Sequence, residues 1–327
     1  MPDAAPRPRF SRAGLIWGAA GLALFALTLR QTGLDPILDG VRRVGVGFPA
    51  IVALAGARLW LRAKAWTLCT DTPGALPTAD AFRAVVAGGA PGHLPPLGLL
   101  PSEPAKAAFV RHRLSLMAAL SGIAIENLLY TLSVALVIVS GTAALLLTFD
   151  VPRPLQLASV GAMAAVVALV VAGLVVLTRG WRLLSGLVAW LDQRAPAALR
   201  TRLGKLRDIE DRIYGFNERH PGRLWRVLGL DATFHVLGVA EIWLTLALLT
   251  GTWHGLLTVF VLEAVNRTIT VAFKFVPLRL GVDEAGTEVL TRTLALPAGL
   301  GVTMAIVRKA RVLTWSAAGV FFLARRG

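Results

Sequence analysis

Acids and bases set inside apolar runs are the residues of this chain that could do chemistry. Glu126 falls well within the apolar segment 114–147, with Asn127 beside it. Asp231 and His235 lie four apart in the segment 228–249, and Glu263 and Arg267 lie four apart in 256–275, so each pair shares a helix face. A charge at the centre of a bilayer costs about 2.5–3.5 kcal/mol on insertion scales, so such residues turn to the protein interior and take partners. Three chemistries follow: ionic recognition of a polar group, proton transfer, and metal ligation. Two ligands without a third in register make Asp231 and His235 a weak metal site and a better hydrogen-bonded pair lining a cavity. No paired aspartates, HExxH or nucleophile motif is present. The expectation is therefore a non-enzymatic site that needs neither metal nor cofactor.

The element that must position these groups is the stretch 273–296, which carries Pro277, Gly281, Glu284 and Arg292. Its skeleton recurs earlier, where Pro96, Glu103 and Arg111 keep the same offsets: seven positions from proline to acid, fifteen from proline to arginine. Duplicated, broken, polar segments in an apolar chain point to a transporter-type binding site. Glycines and prolines at 88, 89, 91, 92, 95 and 96 are expected to end the helix that begins near 79. The spans 86–113 and 273–296 thus read as two re-entrant or broken hairpins. Ser102 is the expected N-cap of the first hairpin's second arm. In the second, Pro277 stops a helix, Gly281 turns the chain, and Glu284, Glu288 and Arg292 fall on one face of a short helix.

Composition sets the frame. Of 327 residues 55% are hydrophobic and 16% charged, against roughly 25% charged in soluble domains, and the mean hydropathy is +0.65. Apolar runs near 20 residues recur along the chain, so the fold class is an all-α polytopic membrane protein formed as a single domain over 1–327. About seven or eight spans are expected, plus the two broken hairpins related by an internal repeat. The run 13–29 reads as an uncleaved first helix, and 114–147 as one tilted helix or a helix with a turn at Gly141. Residues 312–323 read as a short last segment after a helix opened by Pro297. Arg58 is expected to snorkel toward the interface with Arg62 and Lys64.

The net charge of +15 lies in loops and termini, which is topology in a membrane protein rather than a footprint for nucleic acid. It places the N-terminus in the cytoplasm. The span 179–226 carries eleven basic residues with leucines at helical spacing, as expected of amphipathic helices on the cytoplasmic face that could also dock lipid-biosynthesis enzymes. One cysteine, Cys69, excludes an internal disulfide.

Pro277, Gly281 and Glu284 form a P-x-x-x-G-x-x-E pattern, preceded by the proline- and glycine-rich 91–113 and by Glu126. In these features the chain resembles the flippase-like transmembrane domain of lysylphosphatidylglycerol synthases and their stand-alone bacterial relatives. Residues 261–267 resemble most the branch associated with hopanoid biosynthesis. Asn127 stands where the family commonly has an arginine. The resemblance implies a lipid-handling domain of the bacterial cytoplasmic membrane, read first as a translocator of a polar-headed lipid such as a hopanoid or an aminoacylated phospholipid, with a non-transporting scaffold of lipid synthesis as the alternative and a lipid-modifying membrane enzyme behind it. Glu103, Glu126, Glu263, Arg267 and Glu284 would line or gate its route.

Overall fold

A computed structural model describes residues 30, 35–72, 74–93, 102–178, 215–274 and 276–325. All regular structure among them is helical. A first helix, α1 (Asp35–Val44), runs through a 3-10 turn into α2 (Phe48–Leu68). Then come α3 (Thr78–His93), the short α4 (Ser102–Phe109), α5 (Leu116–Thr148) and α6 (Arg153–Thr178). The later part holds α7 (Phe216–Arg219), α8 (Arg223–Thr250), α9 (Leu256–Ala272), α10 (Val282–Thr293) and α11 (Leu300–Ala324). Four helical runs are long and apolar enough to cross a bilayer: Leu38–Leu68, Leu116–Thr148, Arg153–Ala172 and Arg223–Thr250. The chain is an all-α polytopic membrane protein. The expected first helix 13–29, Pro96 and most of the basic loop 179–226 lie outside the described residues.

Helices α2 to α5 and α8 to α11 each follow the order long, medium, short, long. Helix α2 packs on α8, α3 on α11, and α9 on α5. Exchanging the first four helices for the last four maps this set of contacts onto itself. Within the units α4 folds back on α3, and α10 packs on both α9 and α11. Helix α6 packs on α5 and leaves its apolar side chains, Leu157 and Leu169 among them, exposed to the bilayer.

Two local expectations are corrected, for α3 and for 312–323, and of the two readings of 114–147 the single helix holds. Helix α3 does not end at Gly88 but runs on through Gly89 and Pro91 to His93. Pro91 falls in its last turn, where one missing hydrogen bond costs least. The role of Gly88 is contact: a Cβ there would stand 2.5 Å from Lys106 Cγ and 3.0 Å from its backbone nitrogen, so α4 lies directly on the glycine. Helix α5 is unbroken at Gly141, whose missing side chain admits Ala264 of α9. Residues 312–323 are not a separate segment. They are the second half of the 25-residue α11, which starts at Leu300 beyond Pro297 and carries Arg308, Lys309 and Arg311 through its middle. It stays continuous because each of the three finds a partner inside the protein.

The turn before α10 uses Gly281 as the sequence implies, but Pro277 does not stop α9, which has already ended at Ala272. It opens a 3-10 turn instead. Leu278 and Arg279 hold φ of 50° and 49°, and Gly281 caps α10 at φ 78°. Two non-glycine residues in the left-handed region store strain that the surroundings must hold. Helix α11 then docks on α10 so closely that a Cβ at Gly301 would stand 2.5 Å from the backbone nitrogen and Cα of Glu288.

Backbone atoms cannot step aside for a methyl group, so Gly301→Ala should destabilise the fold by about 1–3 kcal/mol. A lowered Tm of the purified protein is the readout. Gly229→Ala on α8, with nothing within 4 Å of the added carbon, should leave Tm unchanged or slightly raised.

Candidate functional site

Helix α2 presents Arg58 and Arg62 one turn apart, and its pairing with α8 brings Arg58 against Glu241 at 2.8 Å. Glu241 also pairs with Arg311 of α11. From α9, Glu263 holds Arg267 at 2.6 Å and stands 3.7 Å from Arg58. One network thus ties α2, α8, α9 and α11 together through buried carboxylates that each take two guanidiniums. Gly238 of α8 makes room for it: a Cβ there would stand 2.6 Å from Glu263 Oε1. Arg308 donates to Asn266 Oδ1 and makes no ion pair among the described residues. The flat face of Arg58 lies 4.4 Å from the centre of the Phe234 ring, a cation–π contact that holds the guanidinium in place.

These groups line a cavity of about 340 Å³. Its wall draws on both four-helix units: α2, α3 and α5 from the first, α8, α9 and α11 from the second, with Arg279 from the strained turn. Five arginines (58, 267, 279, 308 and 311) face it, against Glu241 and Glu263. Directly behind the wall Asp283 holds Arg279 at 3.1 Å, and Lys309 bridges Asp283 and Glu284. With that row included, six cations meet four carboxylates. In a low-dielectric interior an uncompensated cation attracts an anion strongly.

A second ionic cluster adjoins the first. Arg62 Nε lies 2.6 Å from Glu126 Oε1, and its Nη2 donates to Glu126 Oε2 and Asn127 Oδ1 at 2.9 Å each. Asn127 thus accepts from an arginine of α2. Tyr130 joins the two clusters. Arg62 lies 3.5 Å over its ring, and Arg267 donates to its hydroxyl at 3.2 Å.

Of the residues singled out from sequence, Glu263 and Arg267 stand on the cavity wall, and Glu126 lies behind it, paired with Arg62, which packs on the wall residue Tyr130. Glu284 is fully buried and turns back on its own helix: its Oε2 accepts from the Gly281 N–H at 2.8 Å, and its Oε1 takes Lys309. Glu288 accepts from the N–H groups of Gly299 and Gly301 at 2.9 and 3.1 Å, so it caps α11. Arg292 pairs with Glu288 at 2.8 Å on the surface. Pro277 and Gly281 shape the turn that presents Arg279. Glu103 pairs with Lys106 at 3.6 Å, and Arg111 is exposed, away from the cavity. Asp231 and His235 are buried beside α5, off the cavity wall.

Arg58 does not snorkel to the interface. It is buried and ion-paired, because α8 and α9 bring carboxylates to it. Its i, i+4 spacing to Arg62 inside an apolar run was the available signal. Glu241 carried the same signal as Glu126, an acid inside an apolar run, whereas Asn266, Arg279, Arg308 and Arg311 had no local pattern to mark them as a site. Among the described residues no group of three or more His, Cys, Asp or Glu is placed to hold a metal.

The family model described as the lysylphosphatidylglycerol synthase TM region matches residues 13–319. Neither a curated protein nor a solved structure matches the chain. The match spans both four-helix units and the cavity between them, and on it the protein belongs to the family of lysylphosphatidylglycerol synthase transmembrane regions.

Proposed function

We propose that the protein is a membrane lipid translocator that admits a lipid headgroup to the arginine-lined cavity while the tail stays in the bilayer. The observation that carries this reading is the excess of guanidinium over carboxylate on a cavity walled by apolar helices. A bare arginine in such a place is expensive, and an anionic headgroup is the partner that relieves it. The preferred substrate carries a phosphate. That favours a phospholipid, aminoacylated or not, over a hopanoid with a neutral headgroup.

The position of the cavity supports movement rather than static binding. It lies where the two four-helix units meet, and we take these units to be duplicated halves. Sites at repeat interfaces are opened alternately when one half rocks against the other. The basic loops are taken to face the cytoplasm, which puts the protein in the cytoplasmic membrane of a bacterium with its N-terminus inside.

The test is leaflet exchange of a fluorescent phosphatidylglycerol in proteoliposomes, read by quenching of the outer leaflet. Wild type should exchange this lipid faster than empty vesicles and faster than the zwitterionic phosphatidylcholine analogue. Arg308→Gln removes a charge-assisted contact of about 1.5–3 kcal/mol and should slow exchange roughly tenfold or more. Wild type that leaves both lipids in place would overturn the reading. A deletion strain that loses a lipid class outright would move scaffolding of lipid synthesis ahead of it.

Arg62→Gln, behind the wall, should leave Glu126 buried without its cation. Its expected effect is a loss of about 3–5 kcal/mol of stability, read as a lowered Tm. Arg292→Gln removes a half-exposed guanidinium from Glu288, whose carboxylate keeps the N–H groups of Gly299 and Gly301, and should shift stability by about 1 kcal/mol or less.

A further inference from the structure

Asp231 and His235 belong to no part of the cavity wall, yet both are buried. Asp231 is 1% exposed. It makes no ion pair among the described residues, and its Oδ2 has no hydrogen-bond partner there. One turn along α8, His235 meets Ser133 Oγ of α5 through Nε2 at 3.0 Å, while its Nδ1 is buried without a hydrogen-bond partner among the described residues. Two unsatisfied polar atoms on adjacent turns are costly unless something binds them.

The charged groups around the pair show what is missing. Glu126 of α5 and Arg62 of α2 act on Asp231. Glu263 and Arg267 of α9, with Arg58 and Arg62 of α2, act on His235. Every cation among them is committed: Arg62 to Glu126 and Asn127, Arg267 to Glu263, Arg58 to Glu241 and Glu263. Arg223, on α8 itself, donates to the carbonyls of Leu68 and Thr70. Cys69, at the end of α2, is buried nearby and brings no cation. Lys106 and Glu103 of α4 also act on Glu126, but they pair with each other at 3.6 Å and cancel. Glu126 and Asp231 together therefore have one guanidinium, that of Arg62, between two carboxylates.

One further positive charge balances the site. A free carboxylate oxygen and an imidazole nitrogen fall far short of the oxygen shell that a hard metal cation requires. They suit a proton, which either group can hold and pass on. The site also touches the cavity. The Tyr130 ring stacks nearly parallel on the His235 ring with centroids 6.0 Å apart, carries Arg62, and holds Arg267 by its hydroxyl. Tyr130 is itself a wall residue.

We propose that Asp231 and His235 form a proton-binding site coupled through Tyr130 to the headgroup cavity, so that lipid movement is driven by a proton gradient. The coupling rests on the translocator reading. The proton site does not. An anion drawing Arg267 from Tyr130 changes what the His235 ring stacks on, and a proton entering at Asp231 changes the charge beside Arg62. Each event alters the free energy of the other by the same amount.

Two measurements on the full-length protein in phosphatidylglycerol vesicles test this. Infrared spectroscopy near neutral pH should show a protonated-carboxyl stretch that is lost in Asp231→Asn and kept in Asp231→Glu. An imposed pH gradient should speed exchange of fluorescent phosphatidylglycerol severalfold in wild type and in Asp231→Glu. Asp231→Asn should exchange the lipid at one rate whether or not the gradient is imposed. His235→Gln, whose chain can still meet Ser133, should weaken the response if Asp231→Asn fails to fold. A wild type without the carboxyl stretch, or a gradient response unchanged in both variants, overturns the proton inference and leaves translocation standing. A stretch that behaves as expected in a protein that moves no lipid retains the proton site and removes the translocator.

Discussion

Charge buried where water cannot reach it is the constraint on which this structure depends. Each buried carboxylate of the central network takes two guanidiniums, and Arg58 and Arg267 are each braced by a further contact. Such a network adds little net stability against a well-packed apolar core, because desolvation offsets most of the attraction. It does fix geometry. Arg58 cannot reach Glu241 and Glu263 together unless α2, α8 and α9 sit in one relative arrangement. The network therefore specifies how the two halves meet and holds open a polar space between them.

Small residues let this happen. A salt bridge spans under 4 Å, so helix backbones must come closer than large side chains allow. Gly88 under α4, Gly141 against Ala264, Gly238 under Glu263 and Gly301 on Glu288 each stand where a methyl would collide. Helix association in lipid has no hydrophobic drive and relies on such close packing. In this protein close packing and ion pairing are one design: glycines bring the helices together, and the charges fill the gaps left between them.

Much of this was legible in the sequence, at the level where signals are local. Apolar runs gave the fold class, and i, i+4 spacing gave the Glu263–Arg267 pair. The proline–glycine–acid pattern marked the turn before α10 and the family. Partners distant in sequence were not legible. Nothing near Arg58 announces Glu241, 183 residues on, and nothing near Arg308 announces Asn266. Sequence also could not separate an acid aimed at a ligand from one turned on its own helix end. Glu284 is the second kind, since the same left-handed Gly281 that permits the turn offers it a free N–H. At Gly88 and Pro91 local breaking signals lost to packing: α4 presses on the glycine, and the proline falls where the helix is already ending.

Helix α11 has a consequence for how the protein is made. Arg308, Lys309 and Arg311 together would oppose its entry into lipid by on the order of 8–10 kcal/mol, more than its apolar residues comfortably offset. Their partners Asn266, Asp283, Glu284 and Glu241 all precede α11 in the chain and leave the ribosome before it. The helix need never meet bare lipid. It enters by docking into a slot already lined with the groups that neutralise it, so its biogenesis is a folding reaction on the finished part of the protein rather than a partition between water and bilayer.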